Sequence, residues 1–272
     1  MIEIPKQYEI GKKIPIKDFV PASLDSETRK KIRDIVIKVV LTYQISGEEI
    51  LSVRNEMYDC RLIQFYDFEV KDIKKAAFIS EVYQELIKSP CIIRIFDKTK
   101  EVYSFGLKRL NQNDKNEIVL EEKFISDSFD KRLPSSEKKN LEKIISFENV
   151  INRTNKVNFY FEIYAKSFIL KNRKTYIKSE EILKNPVWYD EKNMKEIYDF
   201  FKELVKLKEK IDKINLSSEK IKYNQKIKII IDKIESLLKG AVANWWFYII
   251  NLFSFFLFLQ KNIETIFMIS KI

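Results

Sequence analysis

The sequence contains no histidine. That excludes Ser-His-Asp and Cys-His nucleophile systems, His-ligated zinc and the usual imidazole proton shuttle. Glycine is nearly as scarce, with only Gly11, Gly47, Gly106 and Gly240. No two lie close enough to form the phosphate-cradling loop of a Walker or dinucleotide-binding motif. Cys60 and Cys91 are the only cysteines. They are too few for a thiolate metal site or a disulfide scaffold, and read as reduced, structural thiols of a cytosolic fold. Met1 to Val20 carries charges at Glu3, Lys6, Glu9, Lys12, Lys13, Lys17 and Asp18 and lacks the apolar run of a signal peptide. With no histidine to activate them, Ser135, Ser136 and Thr42 are poor candidates for a nucleophile.

What is present is densest between Arg61 and Arg109. Leu62, Gln64, Tyr66, Phe68 and Val70 alternate with Ile63, Phe65, Asp67 and Glu69, the period of a half-buried strand. From Asp72 to Lys88 the period becomes helical through Ala76, Ala77, Ile79, Tyr83 and Leu86, with Asp72 placed to cap the first turn and Pro90 to stop the helix. Cys91 to Phe96 reads as a second strand, Asp97 to Lys100 as a polar turn and Val102 to Leu107 as a returning strand. Upstream, Ile4-Pro5-Lys6 and Ile14-Pro15-Ile16 suit an edge strand or draped arm, and Ser23 or Asp25 can cap a short helix to about Arg33. Ile35 to Ile45 reads as a long strand. A continued helix is the rival, because Ile32, Ile35, Val36, Val39, Val40 and Tyr43 share one helical face. Ser46 to Arg54 is a polar connection. Downstream come a strand over Ile118 to Phe124, a loop from Asp127 to Pro134, a helix capped by Ser135 or Ser136, and a helix from Asn155 to Leu170 packed on the sheet. Phe159, Tyr160, Phe161 and Tyr164 on the latter read as core rather than as a base-stacking platform.

These signs predict an α+β fold with a mixed or antiparallel sheet and packed helices, occupying residues 1–175. Beyond Tyr189, Phe200, Leu204, Leu207, Ile211 and Ile214 step in heptads. After Leu216-Ser217-Ser218, Tyr223, Ile227, Ile230, Ile234 and Leu237 do the same, which predicts an antiparallel helical hairpin over 176–239. Its seam is either self-contained or offered to a partner. The net charge of +10 is concentrated at residues 135–240, which carry an excess of +8. Such a basic helical face fits nucleic acid or an anionic membrane surface, or is a solvated face of a lysine-rich chain.

Residues 240–272 form a hydrophobic tail. Ala241 to Leu259 runs nineteen residues without a charge, close to the ~20 needed to cross a bilayer, with Trp245, Trp246 and Tyr248 near one end as in an interfacial aromatic belt. Asn244, Asn251 and Ser254 interrupt it. Three readings stand: a transmembrane helix at 241–259 that leaves the remainder in the cytoplasm, a buried or partner-facing helix, and a change of reading frame near Gly240.

Two constellations carry possible chemistry. Glu69-Val70-Lys71 ends a strand and Asp59 lies ten residues earlier. An acid followed by acid-x-lysine is the layout of restriction-type nucleases, in which two carboxylates hold Mg²⁺ and the lysine steadies developing charge. The bland reading is a charged strand end. The second constellation is Lys202, Lys206, Lys210, Lys213, Lys220, Lys222, Lys226 and Lys228 on the hairpin, a candidate nucleic-acid-binding surface.

Ile4-Pro5-Lys6 with Lys13-Ile14-Pro15-Ile16-Lys17-Asp18-Phe19, the run to Leu41-Thr42-Tyr43-Gln44-Ile45-Ser46, and Ile63–Lys71 with Ile87-Lys88-Ser89-Pro90-Cys91-Ile92-Ile93-Arg94-Ile95-Phe96 together resemble the bacterial domain-of-unknown-function family numbered 4391. The likeness covers roughly residues 4 to 238, and it rests on hydrophobic patterns rather than chemical signatures. After Gly240 the sequence departs from that family, which normally ends in charged helix. The resemblance implies a setting beside helicases and DNA methyltransferases in restriction or phage-defence cassettes, and no catalytic residue. The expectation is therefore a non-enzymatic accessory protein, cofactor-free and cytoplasmic, that touches DNA, RNA or a helicase or methyltransferase subunit. A Mg²⁺-dependent nuclease and a membrane-tethered adaptor are the alternatives.

Overall fold

The protein is described by a computed structural model that covers residues 2–133 and 135–269, with side chains as far as Ala243. It is α+β and separates into two compact units, Met1–Asn172 and Arg173–Ile272.

The first unit contains β1 (Glu9–Ile14), α1 (Ile16–Phe19), α2 (Ser26–Ile35), β2 (Val36–Ile45), β3 (Val53–Arg54), β4 (Asp59–Cys60), β5 (Ile63–Val70), α3 (Ala76–Leu86), β6 (Cys91–Phe96), β7 (Lys100–Leu110), β8 (Ile118–Ile125), β9 (Phe129–Asp130), α4 (Ser136–Ile145) and α5 (Lys156–Lys171). The main sheet runs β1-β2-β5-β6-β7-β8, with β9 also beside β7, and β3-β4 form a small separate ladder. Only β5 and β6 are parallel among the described pairs. A parallel pair needs a crossover, and α3 supplies it.

Sequence chemistry sets these boundaries. The Asp25 carboxylate accepts from Thr28 N at 2.8 Å and starts α2. Asp72 accepts from Lys74 N ahead of α3, and Ser135, not Ser136, caps α4. In β2 the strand wins over the rival helix. The apparent helical face crosses a junction, with Ile32 and Ile35 on α2 and Val36 onward in the sheet. The arm before Pro15 is the edge strand β1. Its register shifts between Glu9 and Lys12 around Gly11, whose φ of 59° a side chain would strain.

Each side of the sheet carries its own core. On one side Tyr66, Phe68, Val70, Ile93 and Ile95 pack with Ile79 and Tyr83 of α3, Ile32 and Ile35 of α2, and Phe19. The Phe19 and Tyr83 rings stack at 4.9 Å. On the other side Phe124 meets Tyr164 and Phe168 of α5 edge-on. The Tyr160 hydroxyl accepts from Gly106 N at 3.1 Å and faces Cys91 O at 2.8 Å and Gly106 O at 3.0 Å, closing the gap where the β6–β7 ladder ends. Gly106 is required by close packing: a Cβ there would meet Gln84 Oε1 at 2.6 Å and Leu120 Cδ1 at 2.8 Å.

The second unit contains α6 (Ser179–Lys184), α7 (Glu191–Ile211) and α8 (Ser217–Ile269), with a 3-10 turn at Pro186–Tyr189. Asp190 caps α7 through Asn193 N at 2.8 Å. The hairpin seam buries Ile197, Phe201, Leu204 and Val205 against Ile227, Ile230, Ile234 and Leu238. Phe200 and Leu237 lie half-buried beside it, so the heptad register of the sequence is off by one position at each. Trp188 is fully enclosed, its indole donating to Ile182 O at 2.8 Å. Among the described residues no helix is long and apolar enough to cross a membrane. The backbone of the tail is helical to Ile269, but beyond Ala243 the side chains of the expected span at 241–259 lie outside the described residues.

Candidate nucleic-acid interface

The structure does not bring the acid-x-lysine constellation together. Asp59 sits on β4, before the start of β5, and Glu69 sits at that strand's far end. At a rise of about 3.3 Å per residue, β5 alone keeps them roughly 20 Å apart. Asp59 is also held by arginines. Arg61 donates to both its oxygens, at 2.9 and 2.8 Å, and Arg54 lies 3.9 Å away. Hydrogen bonding from Arg61 holds the Asp59 carboxyl below its ordinary range. No group of three His, Cys, Asp or Glu side chains able to hold a metal ion exists among the described residues. The Mg²⁺ site expected of a nuclease therefore has no geometric support at Asp59, Glu69 and Lys71.

The sheet assembles a different charged cluster, one that the sequence did not signal. Across β2, β5, β6 and β7 the register aligns Val40, Asp67, Arg94 and Tyr103 in one row. Lys38, Glu69, Phe96 and Glu101 lie two rows on, on the same face. Arg94 Nε donates to Asp67 Oδ1 at 2.9 Å, its Nη2 pairs with Asp67 Oδ2, and its Nη1 lies 3.6 Å from Glu101. From α4, Lys138 pairs with Glu101 and lies 3.8 Å from Glu142, which accepts from the Tyr103 hydroxyl at 3.3 Å. Burial works against the charge on Arg94. The hydrogen bond and attraction from Asp67 outweigh it and raise the guanidinium above its ordinary value. Burial, then Glu101, raises the Tyr103 phenol. Asp67, Arg94, Tyr103 and Glu142 border a 190 Å³ cavity. Acid answers base throughout, so the cluster locks α4 to the sheet and exposes neither an activated nucleophile nor an empty cation cage.

Three buried lysines invite suspicion of chemistry, but structure explains each. Lys108 Nζ donates to Ile87 O and Ser89 O beyond the end of α3 and lies 3.3 Å from Cys91 Sγ. Burial lowers its pKa and raises that of the Cys91 thiol. Lys156 Nζ donates to Gly47 O at 2.8 Å, Ile50 O at 2.6 Å and Ser52 Oγ at 3.1 Å, and so gathers the connection before β3. Lys166 pairs with Glu162, which also accepts from Ile151 N and Asn152 N. A separate cavity of 780 Å³ lies beside the amino ends of β5 and β6. Among its lining groups Tyr66 and Ser89 both donate to Gln64 Oε1, and Arg61 donates to Asp59.

The hairpin is arranged in the opposite way. Lys206, Lys210, Lys213, Lys220, Lys222, Lys226 and Lys228 are all exposed, and among the described residues none makes an ion pair. Lys202 is half-buried, with its ammonium 5.7 Å from the Tyr198 ring centre. The charge is uneven along the hairpin. On α7 the lysines interleave with Glu191, Glu196, Asp199, Glu203 and Glu209, whereas α8 carries Lys220, Lys222, Lys226 and Lys228 with no acid between Glu219 and Asp232. The positive surface therefore collects at the start of α8 and the turn that precedes it, where Lys213 joins it. Further along α8, Glu235 is engaged by Lys178 at 2.6 Å and by Tyr176 at 3.3 Å. Lys233 lies over the Phe200 ring at 5.3 Å.

Fold and surface together define an α+β protein with a lysine-tipped helical unit and, among the described residues, no metal-binding cluster. The family described as Domain of unknown function (DUF4391) matches residues 2–234, and the chain belongs to it. No curated protein and no solved structure matches the chain.

Proposed function

We propose that this protein is a non-enzymatic accessory component of a bacterial helicase- or methyltransferase-containing DNA-processing or defence system, and that it binds nucleic acid through the tip of its α7–α8 hairpin. The observation that carries this reading is the set of exposed, unpaired lysines from Lys206 to Lys228. A lysine without a carboxylate partner retains its attraction for phosphate and gains the release of condensed counterions on binding. The genomic setting rests on the resemblance to the family alone.

The test uses the full chain. Fluorescence anisotropy with labelled DNA and RNA at 50 mM salt should show binding that weakens steeply as salt rises. The variant Lys213→Glu/Lys222→Glu/Lys226→Glu/Lys228→Glu should abolish it. An absence of binding to any nucleic acid at low salt defeats the proposal.

A further inference from the structure

The cations of the hairpin are of one kind. After Arg173 the sequence contains no arginine, so every positive side chain of α6, α7 and α8 is a lysine. Arginine presents a rigid, planar fork that grips guanine or phosphate in two places, whereas the lysine ammonium is a strongly hydrated point charge on a mobile stem. A lysine-only surface senses phosphate and reads little of the base edges.

Aromatic groups are scarce at the tip as well. Single-strand binders supply side chains on which unstacked bases lie, worth roughly 1–3 kcal/mol per base. At the tip the only ring is Tyr223, half-buried and with the Lys226 ammonium 5.7 Å from its centre. Tyr198, Phe201 and Trp188 are core. Tyr189 is exposed, but it precedes α7, whose length at ~1.5 Å per residue separates it from the turn by about 30 Å.

Line charge then decides the ligand. A duplex presents one phosphate per about 1.7 Å of axis and a single strand one per about 3.4 Å. A surface whose cations are all ammonium groups, with no arginine fork and no stacking platform, gains most from the denser array. We infer that the ligand of this hairpin is duplex nucleic acid, gripped through its phosphates with no preference for sequence, by Lys213, Lys220, Lys222, Lys226 and Lys228. This rests on the nucleic-acid reading given above and narrows it to one substrate class.

The experiment titrates full-length protein against a labelled 30-base-pair duplex, each of its two strands alone, and a duplex of shuffled sequence, across 50–200 mM salt. The duplexes should bind alike and at least tenfold tighter than either strand. With five phosphate contacts the slope of log K against log salt should be about −4.5, a loss of about 500-fold over that range. Each Lys→Gln substitution should make the slope shallower by about one. Equal or tighter binding of a single strand overturns the inference and leaves the nucleic-acid reading standing, as does a tenfold preference between duplex sequences. A Lys213→Gln/Lys220→Gln/Lys222→Gln/Lys226→Gln/Lys228→Gln variant that keeps an unchanged unfolding midpoint and an unchanged slope overturns both. So does binding confined to phosphatidylserine vesicles or to polyglutamate.

Discussion

In the unit Met1–Asn172 many lysines are exposed, but a set of long cationic side chains points inward. Lys108, Lys156 and Lys166 are buried, and Arg94 and Lys138 bridge strand to strand and helix to sheet. In Arg173–Ile272 the lysines from Lys206 to Lys228, apart from half-buried Lys208, stand in solvent without an acidic partner. Both units are rich in lysine, and only the supply of nearby acceptors separates them. Irregular connections in the first unit leave carbonyls unsatisfied at Gly47, Ile50, Ile87 and Ser89, and a lysine on a neighbouring helix or strand can reach them. The second unit is nearly all helix, its carbonyls are mostly satisfied within each helix, and its exposed lysines between Lys206 and Lys228 have no internal acceptor within reach.

The comparison breaks first at the ion pair of α5. Glu162 is fully buried, and Lys166→Met would leave its carboxylate without a compensating charge. The expected loss is about 3–5 kcal/mol, read as a fall in the urea midpoint with an unchanged m-value. Adding Glu162→Gln should return part of it, because the burial penalty of an unpaired charge disappears while the amide oxygen still accepts from Ile151 N or Asn152 N. A single variant as stable as the native protein would show that the buried cations are incidental. Lys156→Met should follow, at about 2 kcal/mol, because it orphans the buried Ile50 carbonyl and gives up the bonds to Gly47 O and Ser52 Oγ. Limited proteolysis should then cut first between Gly47 and Ser52.

Sequence reached the elements more readily than it reached the charges. β5, α3, β6 and β7 were legible because a period of two gives way to a helical period and back, with Asp72 and Pro90 marking the change. β2 was ambiguous because α2 runs into it without a loop, so a helical pattern continues by coincidence past Ile35. The cluster of Asp67, Arg94, Glu101 and Lys138 was invisible. Its members come from four elements, and their alignment depends on a parallel register that no local pattern states. The hairpin lysines could be identified, but not their lack of partners, which required the rotation of each helix about its axis. The acid-x-lysine motif failed for a related reason. Asp59 is ten residues from Glu69 in sequence, but the extended strand between them carries its two ends apart.

A smaller effect tests whether paired charge in the first unit extends to its turns. Asp97 accepts backbone N–H bonds from Ile73, Thr99 and Lys100. Burial acts to raise its pKa, but those donors outweigh it and bring the carboxyl down to about 2 from 3.8. A folded value below the unfolded one means that the unfolded chain binds more protons between them. The stabilisation is therefore complete above 3.8 and is lost as pH falls through about 2. Asp97→Asn should flatten that acid limb, seen in urea midpoints between pH 5 and pH 2 after discounting for solvent screening. A variant whose acid limb matches the native one would assign the loss to other carboxylates.

The smallest expected effect is the most discriminating. Lys222→Gln removes an exposed charge that makes no hydrogen bond or ion pair in the fold, and should move stability by less than about 0.5 kcal/mol in either direction. Relieving repulsion from Lys226, one turn further along α8, should tip the change toward stabilisation, since like charges on adjacent turns of a helix disfavour it by a few tenths of a kcal/mol. A group that is retained at slight expense to the fold is one whose use lies outside the fold. If Lys222→Gln instead destabilised the protein by as much as Lys156→Met, the ammonium at 222 would be a structural part like those of the sheet-bearing unit. The contrast between inward and outward lysines would then no longer separate scaffold from surface.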